Sequence, residues 1–155
     1  MVAAREAAAA VIDPELRVVT IEELGILRDV SVDAETGHVT VTITPTYTGC
    51  PAMDVIREDI RAALTEAGHS DAEVRTVFGP PWTTDWISES GRAKLTAARI
   101  APPHPAGPVR LTLSVRCPLC GSPDTEQLSR FGSTACKALW RCRECREPFD
   151  HMKAL

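Results

Sequence analysis

The sequence closes with two Cys-x-x-Cys pairs, CPLCG at 117–121 and CREC at 142–145, with 21 residues between them. Nothing else in the chain constrains its folding as strongly. Upstream lies APPHPAGP (101–108), whose four prolines and one glycine exclude a helix interior or a central strand. That stretch predicts a semi-rigid linker, leaving 47 residues (109–155) as a separate piece. So short a piece buries too little apolar surface to hold a fold unaided, and five of the chain's six cysteines fall in it. The expectation is a metal-stapled β domain.

Four thiolates presented on two tight turns match the tetrahedral preference of zinc, and such a site has no open position for a substrate. Gly121 suits the curl by which backbone amides turn toward the sulfurs. Zinc binding supplies folding free energy of order 10 kcal/mol. The spacing names Cys117, Cys120, Cys142 and Cys145 as ligands of a zinc ribbon, and leaves a rubredoxin-like iron open as the alternative metal. Cys136 is read as a packed small hydrophobe within a strand.

Residues 1–100 read as an α+β domain of order α-β-β-α-β-α, with helices on one face of a sheet. A helix over 3–11 stops at Asp13-Pro14, and 20–24 form a turn ending near Gly25. Strands follow at 26–33 and 38–46, turned by Gly37. In the second, Val39, Val41 and Ile43 alternate with threonines, the period of a half-buried strand. Residues 51–67 predict a helix with Val55, Ile56, Ile60, Ala63 and Leu64 as its apolar stripe and Gly68 as its stop. A strand at 72–78 and a helix at 87–98 complete the domain.

Charge bears on partners. Residues 1–100 carry 9 basic against 16 acidic side chains, net −7, and residues 101–155 carry 8 against 5, net +3. An acidic body repels a phosphate backbone, so no nucleic-acid partner is expected, although the basic tail keeps a nucleic-acid-binding ribbon as the second alternative. Aromatic residues are sparse at 5%, against the stacking platforms of single-strand binders. No apolar run approaches the roughly 18 residues of a membrane span, and the Ala-rich start carries Arg5 and Glu6. A cytoplasmic location without a membrane partner is the expectation. No Ser-His-Asp order, phosphate loop or dinucleotide fingerprint is present, so no enzyme activity of its own is expected.

One cysteine stands apart. Cys50, in TYTGCPAMDV, precedes Pro51, which suits the first position of a helix. Cys50 thereby falls near the N-cap, where free amides and the helix dipole favour a thiolate. Spacing alone leaves two readings level: an accessible, acidified thiol, or a buried cysteine that caps passively. Asp13 and Glu15, in VIDPEL, read alone as a helix stop and turn, or more sharply as carboxylates serving a reactive thiol. In GPPWTTDW, Trp82 and Trp86 are expected to pack on the sheet, and either, if partly exposed, would make a binding anchor.

The stretches VIDPELRVVTIEELGILRDV (11–30), TITPTYTGCPAMDVI (42–56) and PPWTTDWIS (80–88) resemble the cytosolic SufT-like iron–sulfur assembly factors. With the tail added, the whole chain from about Val11 to Lys153 resembles the PaaD family, the accessory D subunits of bacterial phenylacetyl-CoA epoxidase systems. This resemblance implies a non-catalytic maturation factor in aerobic phenylacetate degradation. It implies Cys50 as the functional thiol, Asp13 and Glu15 as the acidic element, and a transient iron or iron–sulfur species at Cys50. Partners would be other epoxidase components, foremost the iron–sulfur reductase, and a homodimer stays open. One departure is that relatives often have Asp before the Pro-Pro-Trp run, where this chain has Gly79, so that element receives no metal role.

Overall fold

A computed structural model describes residues 2–47, 49–103 and 115–153. The chain divides into two compact units, Met1–Ser88 and Glu89–Leu155.

In the first unit, helix α1 (Val2–Ala9) leads through a looped segment to strands β1 (Leu27–Val32) and β2 (Val39–Ile43). Helix α2 (Ala52–Glu66) and strand β3 (Ala72–Thr76) follow. The sheet order is β1-β2-β3, with β1 antiparallel and β3 parallel to the central β2. The alternation read in VTVTI is realised: Val39, Val41 and Ile43 are fully buried while Thr40 and Thr42 are half-exposed. Gly37, with φ at 75°, turns the β1–β2 hairpin in a conformation costly for other residues.

Helix α2 packs Met53, Ile56, Ile60 and Leu64 inward, at the three- and four-residue spacing of a single face. Val55, expected in that stripe, lies a quarter-turn away from Ile56 and is 44% exposed. Thr20 and Glu23 form a reciprocal capping box, the Thr20 hydroxyl accepting from the Glu23 amide and the Glu23 carboxylate from the Thr20 amide, at 3.1 and 3.0 Å. This fixes the turn that carries Leu24, whose carbonyl accepts the indole N–H of buried Trp82 at 2.9 Å. Trp86, in a short 3₁₀ turn (Thr84–Trp86), packs against Gly25 and holds the Arg28 guanidinium 3.6 Å from its ring centre.

The second unit begins earlier than the expected boundary. Residues 87–98 are expected from their pattern in the first domain; helix α3 (Glu89–Ala97) instead packs on β4 (Ile100–Ala101) in the second unit. Ala101 opens the proline-rich stretch read as a linker, yet β4 pairs in parallel with β7 (Pro148–Met152). The sheet runs β4-β7-β6-β5, with β5 at Thr125–Ser129 and β6 at Lys137–Cys142. The physical reason is apolar: Ile100 and Ala101 are buried, and Ala101 joins Val115, Cys117, Cys142 and Phe149 in the unit's core. The Arg92 guanidinium also donates to the Pro103 carbonyl at 2.5 Å, tying α3 to the chain beyond β4. The first unit is therefore α-β-β-α-β, and the sixth predicted element belongs to its successor. Residues 104–108 of the predicted linker, and 109–114 beyond it, lie outside the described residues.

Candidate functional site

The second unit brings Cys117, Cys120, Cys142 and Cys145 together, with all four sulfurs within 4.8 Å of one another. Cys117 and Cys145 stand 3.7 Å apart, and Cys120 and Cys142 3.6 Å. A tetrahedron with metal–sulfur bonds of about 2.3 Å has edges of about 3.8 Å, which these two separations approach. Its walls are two knuckles. In the first, the Gly121 amide returns to the Cys117 carbonyl at 2.9 Å, with Gly121 at φ 74°. In the second, the residue after the second cysteine takes the same left-handed conformation, but it is Arg146 at φ 64°. The Cys145 amide points at the Cys142 sulfur at 3.5 Å, and this donor chiefly brings the Cys142 thiol down to about 7. Cys145 moves the opposite way. The Glu147 amide would lower it, but burial and the three neighbouring sulfurs outweigh that and push it up to about 12. Sulfurs so close cannot all ionise without a cation among them. Cys136 stays out of this cage, buried beside the Thr134 hydroxyl at 3.0 Å.

The first unit places Cys50 at the mouth of α2. Pro51 already has helical dihedrals (φ −69°, ψ −21°), so Cys50 stands in the N-cap position by geometry, its sulfur under the influence of the Ala52 amide. The acidified thiol, one of the two readings that spacing leaves level, is not what this setting favours. Half-burial is the largest influence and pushes the thiol above its ordinary value. The Ala52 amide opposes it, the Glu15 charge reinforces it, the Tyr47 hydroxyl opposes it, and the Asp13 charge reinforces it. Cys50 is thus a mostly protonated thiol at neutral pH, half-open to solvent.

The Asp-Pro-Glu element reaches this sulfur through space, as the two carboxylate influences require. Its two acids differ in setting. Asp13 is buried, and its carboxylate accepts the amides of Glu15 at 3.0 Å and Leu16 at 2.7 Å, closing a turn. The turn is completed by the Arg17 amide on the Asp13 carbonyl at 2.8 Å and by Arg17 at φ 60°. Glu15 is half-exposed on that turn. Among the described residues, the four ribbon sulfurs are the one group of three or more His, Cys, Asp or Glu donors gathered closely enough for an ion. Cys50, Asp13 and Glu15 share a neighbourhood without forming a closed cage.

Two neighbours of this site escape a reading of the sequence. Tyr47, the chain's single tyrosine and three residues before Cys50, accepts the Cys50 amide on its carbonyl at 3.3 Å and lines a cleft of about 220 Å³. The same cleft is walled by Phe78, Pro81 and Trp82. Trp82 is too buried to serve as an exposed anchor, and Phe78 is the aromatic that projects, at 65% exposure. A signal for both is present: a lone tyrosine before the helix-start thiol, and a phenylalanine between β3 and a Gly-Pro-Pro turn.

Two family models match separate stretches of the chain. The model of the iron–sulfur cluster assembly protein family matches residues 2–76, and that of the PaaD zinc beta ribbon domain matches 101–153. An Escherichia coli (strain K12) protein, provisionally designated the D subunit of 1,2-phenylacetyl-CoA epoxidase, is 46% identical over 145 residues, covering 92% of this chain and 86% of its own. The Fe-S protein maturation auxiliary factor SufT of Staphylococcus aureus (strain USA300) is 41% identical over 86 residues, 55% of this chain and 96% of its own. Among solved structures, a DUF59 domain of unknown function from Bacillus anthracis is 34% identical with a TM-score of 0.55, covering 59% of this chain and 87% of its own. A conserved hypothetical protein from Thermotoga maritima, 32% identical with a TM-score of 0.50, covers 60% and 90%.

Proposed function

Because the chain belongs to the PaaD family of 1,2-phenylacetyl-CoA epoxidase D subunits, we propose that it acts without catalysis of its own, as a maturation factor for an iron or iron–sulfur centre in a partner component of that system. The iron–sulfur reductase is the client we assign. The observation that carries this reading is the placing of one half-buried thiol, Cys50, within the electrostatic reach of Asp13 and Glu15, on a domain whose relatives include a named Fe-S maturation factor.

The chemistry follows from charge. Two carboxylates beside a thiol make its ionisation costly, which suits neither a nucleophile nor a redox thiol at rest. A cation reverses the balance: the same carboxylates then favour its arrival, and the thiol gives up its proton as the sulfur becomes a ligand. Iron, as cargo, would be held by Cys50 with Glu15 as the adjacent carboxylate. Asp13 would act on the backbone, holding the turn that presents Glu15. A site with few protein donors and an open side retains cargo weakly, as transfer requires.

The ribbon residues Cys117, Cys120, Cys142 and Cys145 would hold zinc as a structural ion, stabilising the second unit. A reducible iron in that cage is the competing reading, and a colourless protein with one zinc per chain would remove it. The reading predicts a cytoplasmic protein that meets its client in solution, and no helix among the described residues is long and apolar enough to cross a membrane. The test is an affinity pull-down from phenylacetate-grown cells with metal analysis of what co-purifies. Recovery of the reductase in an iron-poor form supports the assignment. Recovery of epoxidase components that are fully metallated, in unchanged yield from a Cys50→Ala strain, contradicts it.

A further inference from the structure

Isolated exposed apolar side chains are ordinary on protein surfaces. Phe78 is different because it stands at the rim of a cleft that other apolar groups complete. The ring is 65% exposed. Pro45, Thr46, Tyr47, Pro81 and Trp82 line the cleft with it. Trp82 cannot swing away, since its indole N–H is bonded to the Leu24 carbonyl at 2.9 Å. At about 220 Å³ the space is smaller than the roughly 300 Å³ at which small-molecule sites begin, yet it admits one side chain. Rigid walls around room for one apolar group are the usual setting of an interface anchor.

Charge decides what surrounds that anchor. Residues 1–88 carry 6 basic against 15 acidic side chains, net −9. Tyr47 links this cleft to the residue that bears the thiol, because it lines the cleft while its carbonyl accepts the Cys50 amide at 3.3 Å. Asp13 and Glu15 bear on the same sulfur. A nucleotide or an acidic peptide would be repelled here, whereas lysines or arginines flanking an apolar residue would be drawn in.

We propose that the Tyr47–Phe78–Trp82 cleft is the docking site for a basic segment of the client protein, anchored by one apolar side chain, which seats that segment beside Cys50. This rests on the maturation reading above and names how the client is recognised. Docking covers the open side of the thiol, so cargo and acceptor are brought into one solvent-poor space.

The probe is a labelled peptide with a single phenylalanine flanked by lysines, used with the full chain and read by fluorescence anisotropy. The expected result is saturable binding that falls with added salt, weakens about tenfold or more in Phe78→Ser, and slows alkylation of Cys50 by iodoacetamide. Phe78 is exposed, so its replacement leaves the fold intact, and circular dichroism verifies that. A peptide with serine in place of phenylalanine should bind no better than background. Equal binding of the two peptides, or no effect of Phe78→Ser, overturns the proposal. So does concentration-dependent dimerisation of the protein that Phe78→Ser abolishes, because the occupant is then a second copy. Cys50→Ala should bind the peptide as the native chain does. Normal iron loading of the client in that variant would remove the maturation reading while leaving the peptide measurements standing.

Discussion

Replacing Glu15 by Gln takes a negative charge away from the neighbourhood of a half-buried sulfur without changing its size. The raised Cys50 thiol should then ionise more readily, since burial remains but one of the two carboxylate influences is gone. The expected outcome is alkylation of Cys50 several-fold faster at neutral pH, with the whole rate–pH profile displaced to lower pH. An unchanged profile would mean that Glu15 does not act on the sulfur. Asp13→Asn differs, because that carboxylate also holds the Glu15 and Leu16 amides, so a loss of stability should accompany any change in reactivity. Gly25 makes a separate prediction. It sits at φ 71°, and an added Cβ would meet the Trp86 Cβ at 2.5 Å and the Trp86 carbonyl oxygen at 2.9 Å. Gly25→Ala should therefore cost roughly 2–4 kcal/mol, read as a lowered midpoint in urea. At this scale the sequence is partly legible. The four ribbon cysteines and the position of Cys50 at a helix start can be read from spacing, because both depend on local turns. The direction of the Cys50 ionisation cannot, because it depends on burial and on carboxylates 35 and 37 residues upstream, brought near only by folding.

Among the elements, α3 and β4 are where prediction and structure part. A proline-rich stretch looks like a boundary, and local rules have no means of showing that the two residues before and at its start pair with a strand 50 residues later. The strands and α2 are legible because their periodicity reports burial directly, and Val55 is misplaced because a stripe judged by type cannot fix its own phase. The new boundary changes what metal loss should do. Removing the metal with a chelator, or replacing Cys120 by Ser, should expose residues 89–103 together with 115–153, since β4 depends on β7 and α3 rests on β4. Hydrogen exchange resolved by mass spectrometry would show protection lost across both stretches while β1–β3 and α2 keep theirs. Retained protection in α3 would place that helix back with the first unit.

For the molecule as a whole, a −9 first unit and a second unit with 11 basic against 6 acidic residues, net +5, put opposite signs on two compact units. The two pieces have separate cores, separate chemistry and separate family matches, at 2–76 and 101–153. If the first unit handles cargo and the second is a metal-stapled surface, the two should fail independently. Cys50→Ala should fold, retain one metal per chain and still meet its partners. The decisive quantity is the iron content, per mole of protein, of the reductase purified from phenylacetate-grown cells that carry either the native chain or Cys50→Ala at equal abundance. A cargo-bearing Cys50 requires a reductase depleted of iron in the Cys50→Ala cells, with the ribbon metal of the variant unchanged. A fully iron-loaded reductase in those cells would contradict that role.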